Sequence, residues 1–447
     1  MSMENYLEKN WKDYFKDLQG LVKIPSFLTD VDDYPNIHQK AAVKYMEELA
    51  KAHGMKVFTN PEGFYGYIEI GQGKEMIGLL GHLDVVDPGE LDLWKTDPFE
   101  LIQKDGNLIG RGAVDDKGPL LILFYLMKEI VESKIKLDKR IRLIYATDEE
   151  SLWRGITKYV ENGEEVPTMG WTSDCEYPPM YGEKTIYEYK LSLKEELDFE
   201  LNGGSGSNSV STKATYRGAK VDQVEAEMKK LGYKYEINKD GSLSALGVGA
   251  HAMRSATDGV NANSRLVQAV AEVEDSKFLK FLAKYIGIEK TGDTLFRKHF
   301  EDETGSITNN FGIIKTTPEG FTTTFDSRIP IFAAEWEDIE KAIIESCKEG
   351  GVDYKFYNVL PKLYVDKDGE FIQSLLNTYK KFSGDAEAEP VVIGGGTYAR
   401  SMPNIVAFGP YFKDSPDTEH QPNEYARISD LTRSYSIYTE VIEGLLK

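Results

Sequence analysis

The sequence has little of several residue types, and each shortage narrows what the protein can be. Its two cysteines, Cys175 and Cys347, provide neither a disulfide framework nor a C-x-x-C pair. This usage fits a reducing cytosol, so we expect a cytoplasmic protein. Basic residues are also too few to balance the acidic ones. The net charge of −21 argues against nucleic acid or an anionic membrane as a partner, because both attract basic surfaces.

Long hydrophobic runs are missing as well. The longest, Leu120–Met127, is far shorter than the roughly 20 residues that a membrane-spanning helix needs. The segment Met1–Phe15 is acidic and amphipathic, so we expect no signal peptide and no membrane partner.

With 41% hydrophobic and 28% charged residues the composition is that of a globular protein, and 447 residues predict two or more domains.

Histidine is scarce too, with six in the chain, so each can be weighed separately. His82 follows the apolar run Met76–Leu80, which reads as a buried strand, and Asp84 comes two residues later. Side chains two apart on a strand share a face, so the carboxylate can accept the ring N–H and fix the tautomer of a metal-binding imidazole. A lone histidine after a core strand is more often structural, so the pair needs support from elsewhere.

A second acidic cluster, Asp115-Asp116, lies in a glycine-flanked turn before an apolar helix predicted from Pro119 to Ser133. Adjacent carboxylates on a tight turn are awkward unless a cation needs them. A solvated acidic turn that caps the helix explains this segment equally well, because Asp is favourable near a helix start.

Three predicted strands deliver acidic or histidine side chains where they end. They end near residues 81, 146 and 173, and the last two are followed by Glu149-Glu150 and by Asp174. Helices between the strands predict an α/β fold, in which ligands bind at the carboxyl edge of the sheet. Several charged clusters at one edge are costly unless a metal neutralises them.

The pattern changes near residue 185. Hairpin-like strands with a helix nearby occur in two loosely similar blocks, 242–250 and 311–330. We predict a catalytic α/β domain with a central mixed sheet and flanking helices from residues 1–185 and 385–447. Residues 186–384 are predicted to form an inserted α+β lid domain of two similar halves.

Two histidines and three carboxylates from these clusters suit two divalent ions of zinc or manganese type, with one carboxylate bridging. The candidate ligands are His82, Asp115, Glu150, Asp174 and His420. Glu149, beside a ligand without being one, is placed to act as a general base.

Taken together, the motifs resemble those of the di-zinc exopeptidases of the aminoacylase and carboxypeptidase G type. Within that family the chain is most similar to the PepV-type bacterial dipeptidases, which are related to carnosinases. The resemblance runs from about the first predicted helix to the last. The motifs that carry it are Gly-His-Leu-Asp (81–84), Gly-Arg-Gly-Ala-Val-Asp-Asp-Lys-Gly (110–118), Asp-Glu-Glu (148–150), Ser-Asp-Cys-Glu (173–176), Gly-Ala-His (249–251), Gly-Gly-Gly-Thr-Tyr-Ala-Arg (394–400) and Glu-His (419–420).

The resemblance implies a division of labour among the candidate ligands. His82 and Asp174 would bind one ion, Glu150 and His420 the other, and Asp115 would bridge them.

It also implies roles for their neighbours. Asp84 would orient His82, and a cis peptide would join Asp115 to Asp116. Glu149 would take a proton from water held by the two ions and pass it to the leaving amine.

Residues of the insert would act on the substrate. The resemblance implies that His251 polarises the scissile carbonyl and that Arg328 grips the substrate carboxylate, a task that suits its planar fork. From the residues alone His251 is an ordinary surface histidine and Arg328 a member of a surface ion pair.

Two further substrate contacts follow from the same resemblance. Asn208 would join the oxyanion hole, although the family often has proline where this chain has Ser211. The N–H groups of Gly395 and Gly396 would approach a substrate carboxylate, in a segment that also reads as a plain strand-to-helix turn.

The resemblance therefore implies a monomeric, cytoplasmic metallo-dipeptidase that hydrolyses unblocked dipeptides, with two ions, zinc foremost and manganese as the alternative. The long insert implies a monomer, because its extra half would replace a partner subunit. An N-acyl amino acid deacylase or desuccinylase of the same family is the alternative function. A catalytically silent binding protein on the same fold is a second alternative, and it would lack one of the metal-binding residues or the general base. A third alternative is an acidic scaffold with a structural metal, which would not need Glu149 beside Glu150.

Overall fold

The computed structural model describes residues 6–254 and 258–446. The chain folds into two compact units. The first comprises Met1–Tyr181, Val365–Val391 and Thr397–Lys447, and the second comprises Gly182–Tyr364 and Val392–Gly396. The catalytic and lid domain boundaries given above stay a prediction.

The helices lie in both units, and a 3₁₀ turn also occurs at Leu91–Leu93, Ala252–Arg254 and Tyr398–Ser401. The α-helices of the described residues are α1 (Tyr6–Lys9), α2 (Trp11–Val22), α3 (Ile37–Ala52), α4 (Lys117–Glu132), α5 (Arg154–Glu161), α6 (Val221–Lys230), α7 (Ala262–Ala271), α8 (Lys277–Tyr285), α9 (Asp293–Phe296), α10 (Trp336–Gly350), α11 (Glu370–Ser383) and α12 (Ile428–Leu445). None of these described helices is long and apolar enough to cross a membrane.

The strands range from two to ten residues. They are β1 (Lys56–Thr59), β2 (Tyr65–Gly71), β3 (Met76–His82), β4 (Ile102–Lys104), β5 (Asn107–Ile109), β6 (Arg140–Ala146), β7 (Met169–Thr172), β8 (Cys175–Glu176), β9 (Met180–Glu183), β10 (Thr185–Lys194), β11 (Glu200–Gly203), β12 (Lys213–Arg217), β13 (Tyr235–Ile237), β14 (Leu243–Leu246), β15 (Glu301–Asp302), β16 (Gly305–Ser306), β17 (Thr308–Thr317), β18 (Gly320–Ile329), β19 (Asp353–Leu360), β20 (Leu363–Tyr364), β21 (Val391–Ile393), β22 (Ile405–Ala407), β23 (Pro410–Tyr411) and β24 (Tyr425–Arg427).

The first unit is built on a mixed sheet in which β1, β2, β6, β3, β7 and β22 are successive neighbours. β3 is parallel to both β6 and β7, whereas β2 is antiparallel to β6. The register places His82 opposite Ala146, and Leu80 opposite Thr172. The three strands therefore end at one edge of the sheet, and the predicted α/β class with a central mixed sheet and flanking helices is confirmed.

The long apolar run of the sequence lies inside this unit. It forms the middle of α4, in which every residue from Lys117 to Ile130 is buried. A helix that is apolar on all sides belongs in a core, and α4 packs against β3, α2 and α12. Burial of this helix fixes the position of the Asp115-Asp116 turn, which precedes its first residue.

The second unit is built on a sheet with the order β13-β14-β12-β11-β17-β18-β10-β19, and its strand pairs are antiparallel. Helices α6 to α10 accompany it. Aromatic rings fill its core: Phe325 stacks on Tyr189 and on Phe311, with ring centroids 5.0 and 4.7 Å apart. This is an α+β arrangement, and its description as two similar halves stays a prediction.

Candidate metal centre

The site begins where β3 ends. The backbone N–H of His82, the last residue of β3, donates a hydrogen bond to Oδ2 of Asp116 at 3.0 Å. Asp116 is the N-cap residue of α4 and is fully buried. This bond ties the end of a core strand to the start of a core helix, and the peptide between Asp115 and Asp116 is cis.

Asp115 lies between two imidazoles. Its Oδ1 is 2.9 Å from Nε2 of His82, and its Oδ2 is 2.9 Å from Nε2 of His420. His82 is buried, whereas the side chain of His420 is 53% exposed, so the site opens on the His420 side. One carboxylate with each oxygen facing a different imidazole is the arrangement expected of a bridging ligand.

The other two predicted ligands complete two groups that share Asp115. Oδ2 of Asp174 is 3.7 Å from Nε2 of His82, and Oε1 of Glu150 is 3.1 Å from Nε2 of His420. Within each group the donor atoms all lie within 4.8 Å of one another. The structure thus brings all five predicted ligands together, from parts of the chain up to 338 residues apart (82 to 420).

Asp84 contacts the ring of His82, as the sequence suggests, and two backbone groups besides. Nδ1 of His82 lies closest to the main-chain oxygen of Asp84, at 3.1 Å, and is 3.5 Å from its Oδ1. The carboxylate of Asp84 also accepts the backbone N–H groups of Glu149 and Glu150, each at 3.2 Å. Asp84 therefore fixes the turn that follows β6, and with it the base candidate and one ligand.

The acidic residues of the site are buried close together, and this raises their pKa values. Burial, followed by repulsion from neighbouring carboxylates, raises the pKa of Glu149 well above its usual range and that of Glu150 to about 8. Burial and the charge of Asp115 likewise raise the pKa of Asp174 to about 6.

The pKa values of the two histidines are raised as well. Burial opposes their protonation, but the hydrogen bonds to Asp115 together with the charges of the other nearby carboxylates outweigh it and raise the pKa of His82 and of His420. The same two contacts overcome burial and hold the pKa of Asp115 well below its usual range.

These residues fit two divalent ions. Imidazole nitrogen and carboxylate oxygen are the donors that zinc and manganese accept, and each group offers one histidine with two carboxylates. Carboxylates whose pKa values are raised by burial and by their mutual repulsion need positive charge beside them to stay ionised. Two ions would supply it when the imidazoles are neutral, as metal binding requires.

A buried ion pair that sequence reasoning missed lies behind the centre. Nη1 of Arg111 donates to Oε2 of Glu424 at 2.7 Å, and the exposed fraction of each side chain is 1%. The two residues are 313 positions apart, so only the fold shows that they meet. The available signal was Arg111 between Gly110 and Gly112, with apolar residues on either side of the two glycines, because a buried guanidinium needs a partner.

The predicted substrate residues lie in the second unit. There the segments around Asn208 and His251 form a short ladder: the N–H of Ala252 donates to the carbonyl of Asn208, and that of Val210 to Ala250, both at 2.8 Å. The side chains of Asn208 and His251 are exposed. The structure thus places these two predicted residues on adjacent segments.

Arg328 is buried, with 3% exposed, and is already engaged. Its Nε and Nη2 donate to the two oxygens of Asp326 at 2.6 and 2.7 Å, and its Nη1 donates to the carbonyl of Gly394 at 2.6 Å. The partner could have been read from the sequence, because residues two apart on a strand share a face. The guanidinium therefore holds the start of the glycine run.

Gly395 and Gly396 are half-buried and follow directly. A Cβ at Gly394 would lie 2.6 Å from Cβ of Met253, so only glycine allows this approach to the segment after His251. The second unit therefore gathers the glycine run, Arg328 and the His251 segment.

Comparison with known proteins places the chain in a family. The sequence pattern of peptidase family M20/M25/M40 matches residues 78–444. The "Putative dipeptidase" of Staphylococcus aureus strain MW2 is 32% identical over 465 residues, covering 96% of each chain. The chain belongs to the M20 peptidases and is a hydrolase, which confirms the family that the motifs predicted.

Solved structures support the fold. The di-peptidase Dug1p of Saccharomyces cerevisiae superposes with a TM-score of 0.60 at 14% identity, over 98% of this chain and 96% of that one. Aminoacylhistidine dipeptidase of Vibrio alginolyticus gives a TM-score of 0.59 at 14% identity, over 96% of both chains.

Proposed function

We propose that this protein is a metal-dependent dipeptidase that hydrolyses unblocked dipeptides. The observation that carries the proposal is the pair of ligand groups that share Asp115, with Glu149 beside them in the turn fixed by Asp84. The names of the curated and structural relatives support the choice of dipeptides as substrates.

Two ions would be held as the sequence motifs imply, one by His82 and Asp174, the other by Glu150 and His420, with Asp115 between them. When bound, they would polarise the peptide carbonyl and lower the pKa of a water molecule toward about 7. Zinc is the ion we propose first, and manganese accepts the same donors.

Glu149 would move the proton in the reaction. It is next to a ligand, yet it belongs to neither ligand group. Its carboxylate would accept a proton from the attacking water and then donate it to the leaving amine, which needs a raised pKa of the kind that burial gives Glu149.

The second unit would supply substrate recognition. We assign polarisation of the carbonyl to His251 and Asn208, and recognition of the substrate carboxylate to Arg328 with the N–H groups of Gly395 and Gly396. We further propose that residues 186–384 serve as a lid on a catalytic domain of residues 1–185 and 385–447. The protein would act as a cytoplasmic monomer on small peptides.

The decisive test of substrate class is a panel of small compounds given to the metal-loaded protein. The panel contains a free α-dipeptide, a β-alanyl dipeptide and an N-acetyl amino acid. We expect turnover of at least one free dipeptide and none of the acylated compound. Turnover of the acylated compound alone would assign the protein to the deacylases instead.

The role of Glu149 has its own test. Glu149→Ala should lower kcat by roughly 10²–10⁴-fold, the usual size of a general acid–base contribution, while two ions remain bound. Metal analysis of the purified variant checks the second half. Glu161→Ala, at an exposed position on α5, is the control and should leave kcat unchanged. Loss of an ion from Glu149→Ala would make this residue a ligand.

A further inference from the structure

The turn that carries Asp115 is held by a carboxylate from a distant part of the chain. Glu424 is fully buried, and it lies outside both ligand groups. Its Oε1 accepts the backbone N–H groups of Gly112 at 3.0 Å, Val114 at 3.1 Å and Asp115 at 3.3 Å. An ionised acceptor with three backbone donors is a strong anchor for a turn.

The charge of this carboxylate is balanced inside the protein. Arg111 donates to Oε2 of Glu424 at 2.7 Å, and its guanidinium carbon lies 5.2 Å from the ring centroid of Trp94. Nη2 of Arg111 also contacts the carbonyl of Asp87 at 3.4 Å. The pair is therefore enclosed on several sides, and removal of either charge leaves the other buried and uncompensated.

The same loop also holds His420. Glu424 follows His420 by four residues, and its main-chain oxygen accepts the N–H of Gly110 at 3.0 Å. Next to it, Asn423 accepts the N–H of Lys95 at 2.8 Å and donates to the carbonyl of Leu93 at 2.9 Å. The segment from 420 to 424 is thus fixed to both the 93–95 and the 110–115 segments.

We propose that Glu424 is a positioning residue of the metal centre. With Arg111 it holds the Asp115 turn against the His420 loop. The carboxylate of Asp115 and the imidazole of His420 therefore lie close enough to bind one ion before that ion arrives. Groups that orient metal ligands typically change metal affinity by roughly 10–100-fold. The inference rests on the proposed metal centre and adds two residues to it.

The test measures metal affinity directly. Mn²⁺ is titrated by calorimetry into chelator-stripped wild type, Glu424→Gln and Arg111→Lys, after circular dichroism has shown which proteins are folded. Glu424→Gln keeps the shape and one acceptor oxygen but removes the charge. The matched control is Glu69→Gln, because Glu69 is another buried glutamate of the first unit, and its Oε2 accepts Nε and Nη2 of Arg142 at 2.9 and 2.5 Å.

We expect Glu424→Gln and Arg111→Lys to bind Mn²⁺ at least about tenfold more weakly than wild type, and Glu69→Gln to stay within about twofold. With a dipeptide at saturating Mn²⁺, KM should change little, because Glu424 does not touch substrate. Affinity within about twofold of wild type in folded Glu424→Gln overturns the inference, as does an equal loss in Glu69→Gln. If Glu424→Gln does not fold, Arg111→Lys decides by the same criterion.

The wild-type titration separates this inference from the proposed function. If wild type binds no Mn²⁺ or Zn²⁺, the metal centre is wrong and the role of Glu424 is wrong with it. If wild type binds two ions while both variants match it, only the positioning role is rejected.

Discussion

Asp84 shows how much one buried carboxylate can organise. Its main-chain oxygen faces the ring of His82, while its carboxylate accepts the N–H groups of Glu149 and Glu150. Because it is 2% exposed, water cannot replace these bonds if the carboxylate is changed. One residue thus contacts a candidate ligand on β3 and fixes the turn after β6.

We therefore expect Asp84→Asn to impair catalysis, although Asp84 is not among the residues proposed to contact substrate. The amide replaces one acceptor oxygen with an NH₂ group that faces a backbone N–H, so the turn must shift. We expect kcat to fall by roughly 10–100-fold, the range typical for residues that orient metal ligands. Steady-state kinetics on a dipeptide at saturating metal measures the change.

Asp302→Asn is the matched control for that experiment. Asp302, in the second unit, also accepts two backbone N–H groups, from Thr304 at 2.6 Å and Phe332 at 2.7 Å. It should lose some stability and keep kcat. Equal losses of kcat in both variants would show that Asp84 acts only through the general stability of the protein.

At the level of single residues, the sequence identified the candidate ligands that the structure brings together, but not the residues that hold them in place. His82, Asp115 and His420 stand in motifs whose residue types announce metal chemistry. The contacts of Glu424 with residues 112–115 leave no pattern in the sequence. They join segments about 310 residues apart, and they use backbone N–H groups, which do not depend on residue type. Long-range partners of this kind follow from topology, which periodicity does not encode.

At the level of elements, strong periodicity predicted the central strands closely. The run Arg140–Ala146 predicts a core strand and forms β6, and β3 extends two residues beyond the predicted Leu80 to include His82. The first helix differs: apolar residues at helical spacing predict one helix from Asn5, which lies outside the described residues, to Leu21. The chain instead divides at Asn10, whose backbone at φ −103° and ψ 18° is not helical. Apolar spacing continues across such a break, so the pattern does not reveal it.

Helix α3 offers a test at this scale. The side chain of Asn36 accepts the N–H groups of His38 and Gln39, and the side chain of Gln39 accepts the N–H of Asn36 in return. Asn36→Ala should lower the free energy of unfolding by about 1 kcal/mol, because it leaves these donors without their cap. Urea unfolding measures the loss.

Asn36→Asp is the control, because aspartate caps a helix about as well as asparagine. Its stability should lie near that of wild type, and kcat should be unchanged in both variants. A loss in Asn36→Asp equal to that in Asn36→Ala would mean that the Nδ2 bond to the carbonyl of Phe27, at 3.0 Å, matters more than the cap.

At the level of the whole molecule, a buried acid couples folding of the first unit to pH. Glu129 on α4 accepts a hydrogen bond from the hydroxyl of Tyr435 on α12 at 2.5 Å. Burial raises the pKa of Glu129 to about 7 from its ordinary value of 4.5. Between these two values the folded state binds more protons than the unfolded chain, so this group makes stability fall as pH rises from about 4.5 to about 7.

Glu129→Gln should remove that part of the pH dependence. The free energy of unfolding of the variant, relative to wild type, should therefore increase between pH 5 and pH 8 by on the order of 1 kcal/mol. Urea unfolding at both pH values measures it. Glu132→Gln is the control: Glu132 also accepts a tyrosine hydroxyl, that of Tyr6, but its side chain is 48% exposed. An equal pH effect in both variants would contradict the role of burial.

Hydrolysis of a free dipeptide during stepwise metal refilling tests the central claim most directly. The protein is stripped with a chelator, and zinc or manganese is then added while bound ions and turnover are measured together. Two ligand groups that share Asp115 predict no turnover in the stripped protein and full turnover only when two ions are bound per chain. Full turnover without ions, or two bound ions without hydrolysis of any dipeptide, would contradict a di-metal dipeptidase.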